Sequence, residues 1–453
     1  MNARLMSRSR LAQHRRDPAA ATARSSAVGG AVGGADMQSD MQSVVDRIGG
    51  LPENARAGST AERSLDSMTD VIQRRDLLRG TLALAGLGAL GVPGWVLPAL
   101  AQGETLVPFT DLPETFPAPA VDRRQLDIRT ITGPLTPRDS FFTTQHYGHP
   151  TVDPVAFRLK VSGLVNQPLS LSLDELRKMR SVELMAGFEC SGNRRPLQGL
   201  SGNGRWTGVP LRALLDRAGV KSEAREFVFF GADRGEEEVE FRAQKFKLDQ
   251  QFGRSLNREK ALSNEPLLAY AMNGEPLTKH QGSPLRLLVP GWYGVANVKW
   301  LSEIHVQVDP YVGKWQTRWY RTVKGEMING EMKWTETAIT HMQLKSFIAR
   351  VTADSGRHTV LGVVLNDGTP IKSVEVKVDD GPWQPATLDG ATNQKFSWKL
   401  FTYTWTGATP GEHTLVSRVT DATDQVQPTL EALESKKSFL EDNSQHPRKV
   451  RIS

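Results

Sequence analysis

Cys190 is the only cysteine among 453 residues, and its setting is the strongest chemical signal in the chain. It lies in Gly187-Phe188-Glu189-Cys190-Ser191-Gly192-Asn193-Arg194-Arg195-Pro196, a stretch of turn-forming and cationic residues. A thiol kept for packing sits more often among Leu, Val and Ile, and burial in the core is the plainer alternative. Nearby guanidiniums are expected to lower the thiol's pKa and favour the thiolate, the form that attacks electrophiles or binds a soft metal. A lone cysteine also excludes an intrachain disulfide, a Cys-rich zinc site, an iron–sulfur cluster and haem attachment through C-x-x-C-H. Redox work at Cys190 therefore needs a bound cofactor. Its electron carrier must be another chain, with no haem expected in this one.

The elements that would position this loop fall into three sections. Residues 1–101 read as a disordered lead followed by an export signal. Up to about Asp70 they are rich in Ala, Ser, Gly, Arg and Met without apolar periodicity. Gln73-Arg74-Arg75-Asp76-Leu77-Leu78-Arg79, an apolar run over Gly80–Leu90, and Pro98-Ala99-Leu100-Ala101 then give the layout of a twin-arginine signal. The apolar run, broken by Gly86 and Gly88, is too short for a stable membrane span. Cleavage after Ala101 is expected, with an internal Met such as Met41 or Met68 as the true start. Twin-arginine export carries folded proteins, which suits a cofactor inserted before export to the periplasm. Residues 1–101 hold 12 Lys and Arg against 9 Asp and Glu, half of the net charge of +6, so the remainder offers no case for nucleic acid.

Residues 102–333 read as an α+β domain. A Pro- and turn-rich lead-in over 103–137 precedes an alternating strand at Phe157–Val161. Helices are expected to open at Leu171–Leu176 and to run over Pro210–Gly219, with Pro at the start and Gly at the end. Phe227–Gly231 and Leu285–Val289 read as buried strands. Residues 334–453 change character. Val374, Val376 and Val378 alternate with polar residues before the turn Asp379-Asp380-Gly381, and further short strands follow at Trp398–Thr404 and Thr414–Val419. That spacing predicts a β-sandwich.

Four stretches, taken in order, resemble the sulfite oxidase family of molybdenum enzymes. They are Glu189–Arg195, Leu268–Leu277, Gly282–Gly291 and Val295–Leu301. The likeness implies a molybdopterin-binding domain followed by an immunoglobulin-like homodimerisation domain. It makes Cys190 the metal's thiolate ligand beside one pterin dithiolene, which suits a soft donor. By the same resemblance Arg195 faces the substrate anion and Tyr270 stands beside the metal's oxo group. His146, Asp233, Arg286, Asn297 and Lys299 contact the pterin. A cation within the strand Leu285–Val289 needs a partner, and a phosphate is one.

The chain also departs from the family pattern. Where many members have Phe-x-x-Arg-x-His, this chain reads Phe141-Phe142-Thr143-Thr144-Gln145-His146, with Thr144 at the arginine position. Gln281 replaces a pterin-contacting histidine, and Arg448 and Arg451 both suit a third family arginine. The resemblance implies oxidation of sulfite to sulfate, with electrons passing to an external c-type cytochrome. Thr144 raises the alternative of another sulfur substrate: a different oxyanion, a sulfoxide to be reduced, or sulfane sulfur on a carrier. A metal-free thiol enzyme with Cys190 as nucleophile and His146 as base, and a cofactor-free binding module, are the readings from other classes.

Overall fold

The computed structural model describes residues 103–120 and 123–453. The disordered lead, the twin-arginine segment and the start-site expectation lie outside them.

The described residues are predominantly β, and the helices of the expected α+β domain are few. Their three α-helices are short: Leu173–Lys178, Leu211–Ala218 and Arg258–Ala261. Ser172 and Glu175 form a reciprocal capping box at the start of the first. Gly219, at φ 67°, ends the second in the left-handed conformation that glycine adopts without strain. The expected helices are thus present, but no longer apolar period exists to extend them.

Two five-stranded sheets share one apolar core. The first runs Arg286–Leu288, Leu267–Met272, Ser201–Pro210 and Val182–Glu189, with Glu275–Pro276 beside Leu267–Met272. The second runs Leu169–Leu171, Leu159–Gly163, Leu301–Gln307, Glu226–Phe241 and Gln244–Asn257. Trp206, Leu268 and Leu287 of the first sheet pack in the same cluster as Leu159, Phe227 and Ile304 of the second. Burial on both sides is why Phe227–Gly231 and Leu285–Val289 read as nearly continuous apolar runs.

The third sheet has eight strands. Its order is Thr105–Leu106, Lys345–Asp354, Arg357–Leu365, Lys399–Trp405, Gln384–Leu388, Ile371–Val378, Gly411–Asp421 and Arg448–Ile452. The lead-in segment joins this sheet through Thr105–Leu106, which pairs antiparallel with Lys345–Asp354. Phe109 bridges Val450, the Thr110 N–H donates to the Lys449 carbonyl at 2.9 Å, and the two end strands are thereby joined. Phe109, Leu112, Leu126 and Ile128 complete a core with Phe347, Val363, Trp398 and Leu415. A strand of only two residues beside a proline hid this pairing, whose partners lie at opposite ends of the described chain. A separate hairpin, Arg321–Ile328 with Glu331–Ala338, connects the two regions.

Candidate functional site

Cys190 follows directly on the strand Val182–Glu189. Its carbonyl accepts from the Asn193 N–H at 2.8 Å, and its own N–H donates to the Leu200 carbonyl at 2.9 Å. The Gly192 N–H points at Sγ from 3.4 Å. The Asn193 amide closes the turn from within, donating to Glu189 Oε2 at 2.8 Å and accepting from the Leu200 N–H at 2.9 Å. Although Cys190 keeps a partial opening to solvent, burial pushes its thiol pKa up, and the Gly192 N–H only partly offsets this. The expected lowering by adjacent cations therefore does not occur in the protein alone. Arg194 is turned over the Phe439 ring, 5.5 Å from its centroid, and Arg195 is drawn to Asp442 at 3.4 Å.

Six of the expected site residues line one pocket: Cys190, His146, Asp233, Arg286, Asn297 and Lys299. Each is placed by a separate element. His146 lies on the loop after Phe142, its ring stacked on Trp315 with centroids 3.7 Å apart and planes 9° from parallel. Burial, with Lys299 and Lys314 nearby, pushes its pKa down to about 3. The neutral ring is hydrogen-bonded through Nε2 to the Tyr320 hydroxyl, 2.9 Å away. Asp233 sits at a bulge where the pairing of Glu226–Phe241 with Gln244–Asn257 shifts register between Phe230 and Arg234. Gly231 makes that bulge possible, because a Cβ there would meet Asp233 Oδ1 at 2.3 Å. Asp233 is 4% exposed, and burial raises its pKa to about 6.

Arg286 is 3% exposed and has no carboxylate partner among the described residues. It donates to the carbonyls of Gln281 at 3.1 Å and Asn297 at 3.0 Å, and its Nε has no partner. Phe188 and Trp206 lie beneath the guanidinium, and burial lowers its pKa to about 9. Asn297 spends its amide within its own loop, accepting from the Val289 N–H at 2.7 Å and donating to the Tyr293 carbonyl at 3.1 Å. It shapes the pocket wall more than it offers a free amide. Lys299 donates to Thr143 Oγ1 at 3.0 Å and the Thr144 carbonyl at 3.1 Å.

Two expected catalytic residues lie elsewhere. Tyr270 does not line the pocket; the Arg177 guanidinium covers its ring from 5.7 Å. Arg195 does not line it either, being held by Asp442. Tyr320 is the tyrosine at the site. It is almost fully buried, and burial together with the nearby Cys190 raises its pKa well above the ordinary value, keeping the phenol protonated. The π-helical turn Lys314–Arg318 presents Trp315 and leads to Tyr320, a local irregularity with no periodic signal. His280 also lines the pocket, its Nδ1 3.0 Å from His149 Nε2. Of the two C-terminal arginines, Arg448 is buried, paired with Asp111 at 2.8 Å, and donates to the Pro196 carbonyl of the cysteine loop at 3.1 Å. Arg451 is exposed, and neither lines the pocket.

The donor set fits an anionic, sulfur-bearing cofactor. No group of three or more His, Cys, Asp and Glu forms a metal site among the described residues, so the protein offers Cys190 as a single soft donor. Arg286 is a buried cation awaiting an anion, and Asp233 Oδ1 and Arg286 Nε are buried polar atoms without partners. The metal-free thiol reading fares worse. A thiol with raised pKa and a histidine pushed to about 3 make a poor nucleophile and base.

Comparison with known proteins agrees with this fit. A family model described as "Oxidoreductase molybdopterin binding domain" matches residues 146–315. The mitochondrial sulfite oxidase of Homo sapiens is 30% identical over 369 residues, covering 73% of this chain and 64% of that protein. The chain thus spans just under two thirds of the human relative. Sulfite oxidase of Gallus gallus is 31% identical over 328 residues, covering 65% of this chain and 68% of that protein. Among solved structures, the sulfane dehydrogenase SoxCD from Paracoccus pantotrophus superimposes with a TM-score of 0.61 at 25% identity, over 77% of this chain and 91% of that one.

Proposed function

This chain belongs to the sulfite oxidase family of molybdopterin enzymes, and we propose that it oxidises a sulfur substrate of low charge, first of all a sulfane sulfur carried on a thiol. The observation that carries the cofactor reading is Arg286, a buried guanidinium without a carboxylate beside the pocket that Cys190 opens into. When bound, the molybdenum–pterin group would supply an exchangeable oxygen ligand and two-electron redox capacity. Cys190 would hold the metal, whose charge favours the thiolate that burial alone disfavours. Arg286 would meet the pterin phosphate, with Lys299 adding positive charge nearby.

Each oxygen atom given to sulfur comes from water, releasing two protons and two electrons. Tyr320, kept protonated, is held in place by neutral His146. Asp233, titrating near 6, is suited to take up a released proton. The electrons would leave to a separate c-type cytochrome. Export by the twin-arginine route would put the reaction in the periplasm, and the eight-stranded region would serve as an immunoglobulin-like homodimerisation domain.

Cations decide between substrates. A dianion such as sulfite needs fixed positive charge beside Cys190. Thr144 stands at the family's arginine position, Arg195 is paired with Asp442, and Lys299 already donates to Thr143 and Thr144. Phe142, Phe188, Phe252 and Val295 offer an apolar wall better suited to a sulfane sulfur. Similarity to a sulfane dehydrogenase favours the same class. Oxidation of free sulfite to sulfate is the second reading, favoured by the sulfite oxidase relatives. Turnover of cysteamine persulfide, whose ammonium offsets the persulfide charge, and of sulfite by the loaded protein, with cytochrome c as acceptor, separates them. The proposal expects kcat/KM at least about tenfold higher for the persulfide, a difference of about 1.4 kcal/mol. Equal or faster turnover of sulfite would return the assignment to sulfite.

A further inference from the structure

The eight-stranded region sends one charged side chain into the back of the cysteine loop. Lys345 begins the strand Lys345–Asp354, and its side chain is 1% exposed. Its ammonium donates to Glu189 Oε2 at 3.0 Å and to the Asn193 carbonyl at 3.2 Å. Glu189 is 2% exposed, and the same Oε2 accepts from the Asn193 amide at 2.8 Å. One ammonium thus grips the residue just before Cys190 and the residue that closes the turn after it. The next residue on the strand is fixed as well: the Ser346 hydroxyl donates to Gln427 Oε1 at 2.6 Å, and its N–H to the same atom at 3.0 Å.

A buried ion pair is a poor source of net stability, because desolvating both charges offsets most of their attraction. Its better-attested use is to fix one geometry among several. Here the geometry it fixes is that of the single thiol in the chain. We propose that Lys345 is a positioning residue for Cys190: by clamping Glu189 and Asn193 it sets the distance and direction at which the thiolate reaches molybdenum. Control of the site therefore comes from the eight-stranded region. This inference rests on Cys190 as the metal ligand.

The test uses the full-length loaded protein and counts sulfur ligands by X-ray absorption at the molybdenum edge, alongside pterin content and melting temperature. Lys345→Met is expected to keep its pterin, which Arg286 and Lys299 would still hold, while the count falls from about three sulfurs per metal toward about two. Lys345→Met leaves Glu189 buried and unpaired, so folding could suffer. The double variant Glu189→Gln/Lys345→Met removes that charge. It is expected to melt close to wild type yet still lose the third sulfur. Ser346→Ala, a buried polar change on the same strand, is expected to keep it. Three sulfurs in either Lys345 variant would overturn the proposal, as would the same loss in Ser346→Ala. Failure of the double variant to fold would also overturn it, since Lys345 would then serve folding instead. A wild-type protein without the third sulfur would refute Cys190 ligation itself, a distinguishable outcome.

Discussion

Replacing Arg286 with Met should leave the cofactor-free protein about as stable as wild type while abolishing its grip on the cofactor. Burial alone takes the guanidinium from its ordinary 12.5 to about 9. At 1.36 kcal/mol per pK step that difference is about 5 kcal/mol, an upper bound on what the unneutralised charge costs the empty protein. Methionine fills similar volume over Phe188 and Trp206 without charge. Against this gain stand two lost hydrogen bonds from a charged donor, to the carbonyls of Gln281 and Asn297, together worth roughly 3–6 kcal/mol. The two nearly cancel, so the empty variant is expected to stay within about 2 kcal/mol of wild type, measured by urea unfolding of material from cells unable to make the pterin. From cofactor-competent cells, the same variant should purify with less than about a tenth of the wild-type pterin, since a charge-assisted phosphate contact of about 1.5–3 kcal/mol is lost. An empty variant several kcal/mol weaker than wild type would refute the reasoning. So would normal pterin retention.

Further outcomes follow from the neighbouring residues. Tyr320→Phe should lower kcat by about tenfold to a hundredfold, whereas Tyr270→Phe should stay within about twofold, as steady-state turnover will show. Asp233 has a folded-state pKa of about 6 against an ordinary 3.8. The folded protein therefore holds an extra proton between those values, and stability falls as pH rises from about 4 through 6. Asp233→Asn should flatten that slope in empty protein and raise stability at pH 7 by at most about 3 kcal/mol, read from unfolding at both ends of the window. Asp442→Ala frees Arg195 from its ion pair. It should lower the KM for sulfite on the order of tenfold and leave that for a persulfide little changed.

Local features of the site were legible in the sequence, and features depending on distant partners were not. Cys190, His146, Asp233, Arg286, Asn297 and Lys299 carry motifs that survive as separate short stretches, and the fold brings them to one pocket. The family resemblance turns Arg195 toward the substrate, whereas its ion pair with Asp442, from the far end of the chain, has no local signature. Tyr270 sits in a recognisable stretch yet faces Arg177, while Tyr320 follows an irregular turn that no period of 2 or 3.6 reveals. The ribbon over Glu226–Phe241 carries Glu236, Glu237, Glu238 and Glu240, a composition that hides a strand of 16 residues. Pairing of Phe109 with Val450 likewise has no local signature. Tertiary partners decided each of these.

The central claim is that the Cys190 pocket holds one molybdenum–pterin group bound through that thiol. Molybdenum and pterin stoichiometry of purified wild type and Cys190→Ser tests it most directly. About one metal and one pterin per chain are expected in wild type, with the serine variant retaining pterin but losing most of its molybdenum or its sulfur-to-metal absorption band. Protein that is active without molybdenum, or a serine variant with unchanged metal content and spectrum, would contradict it.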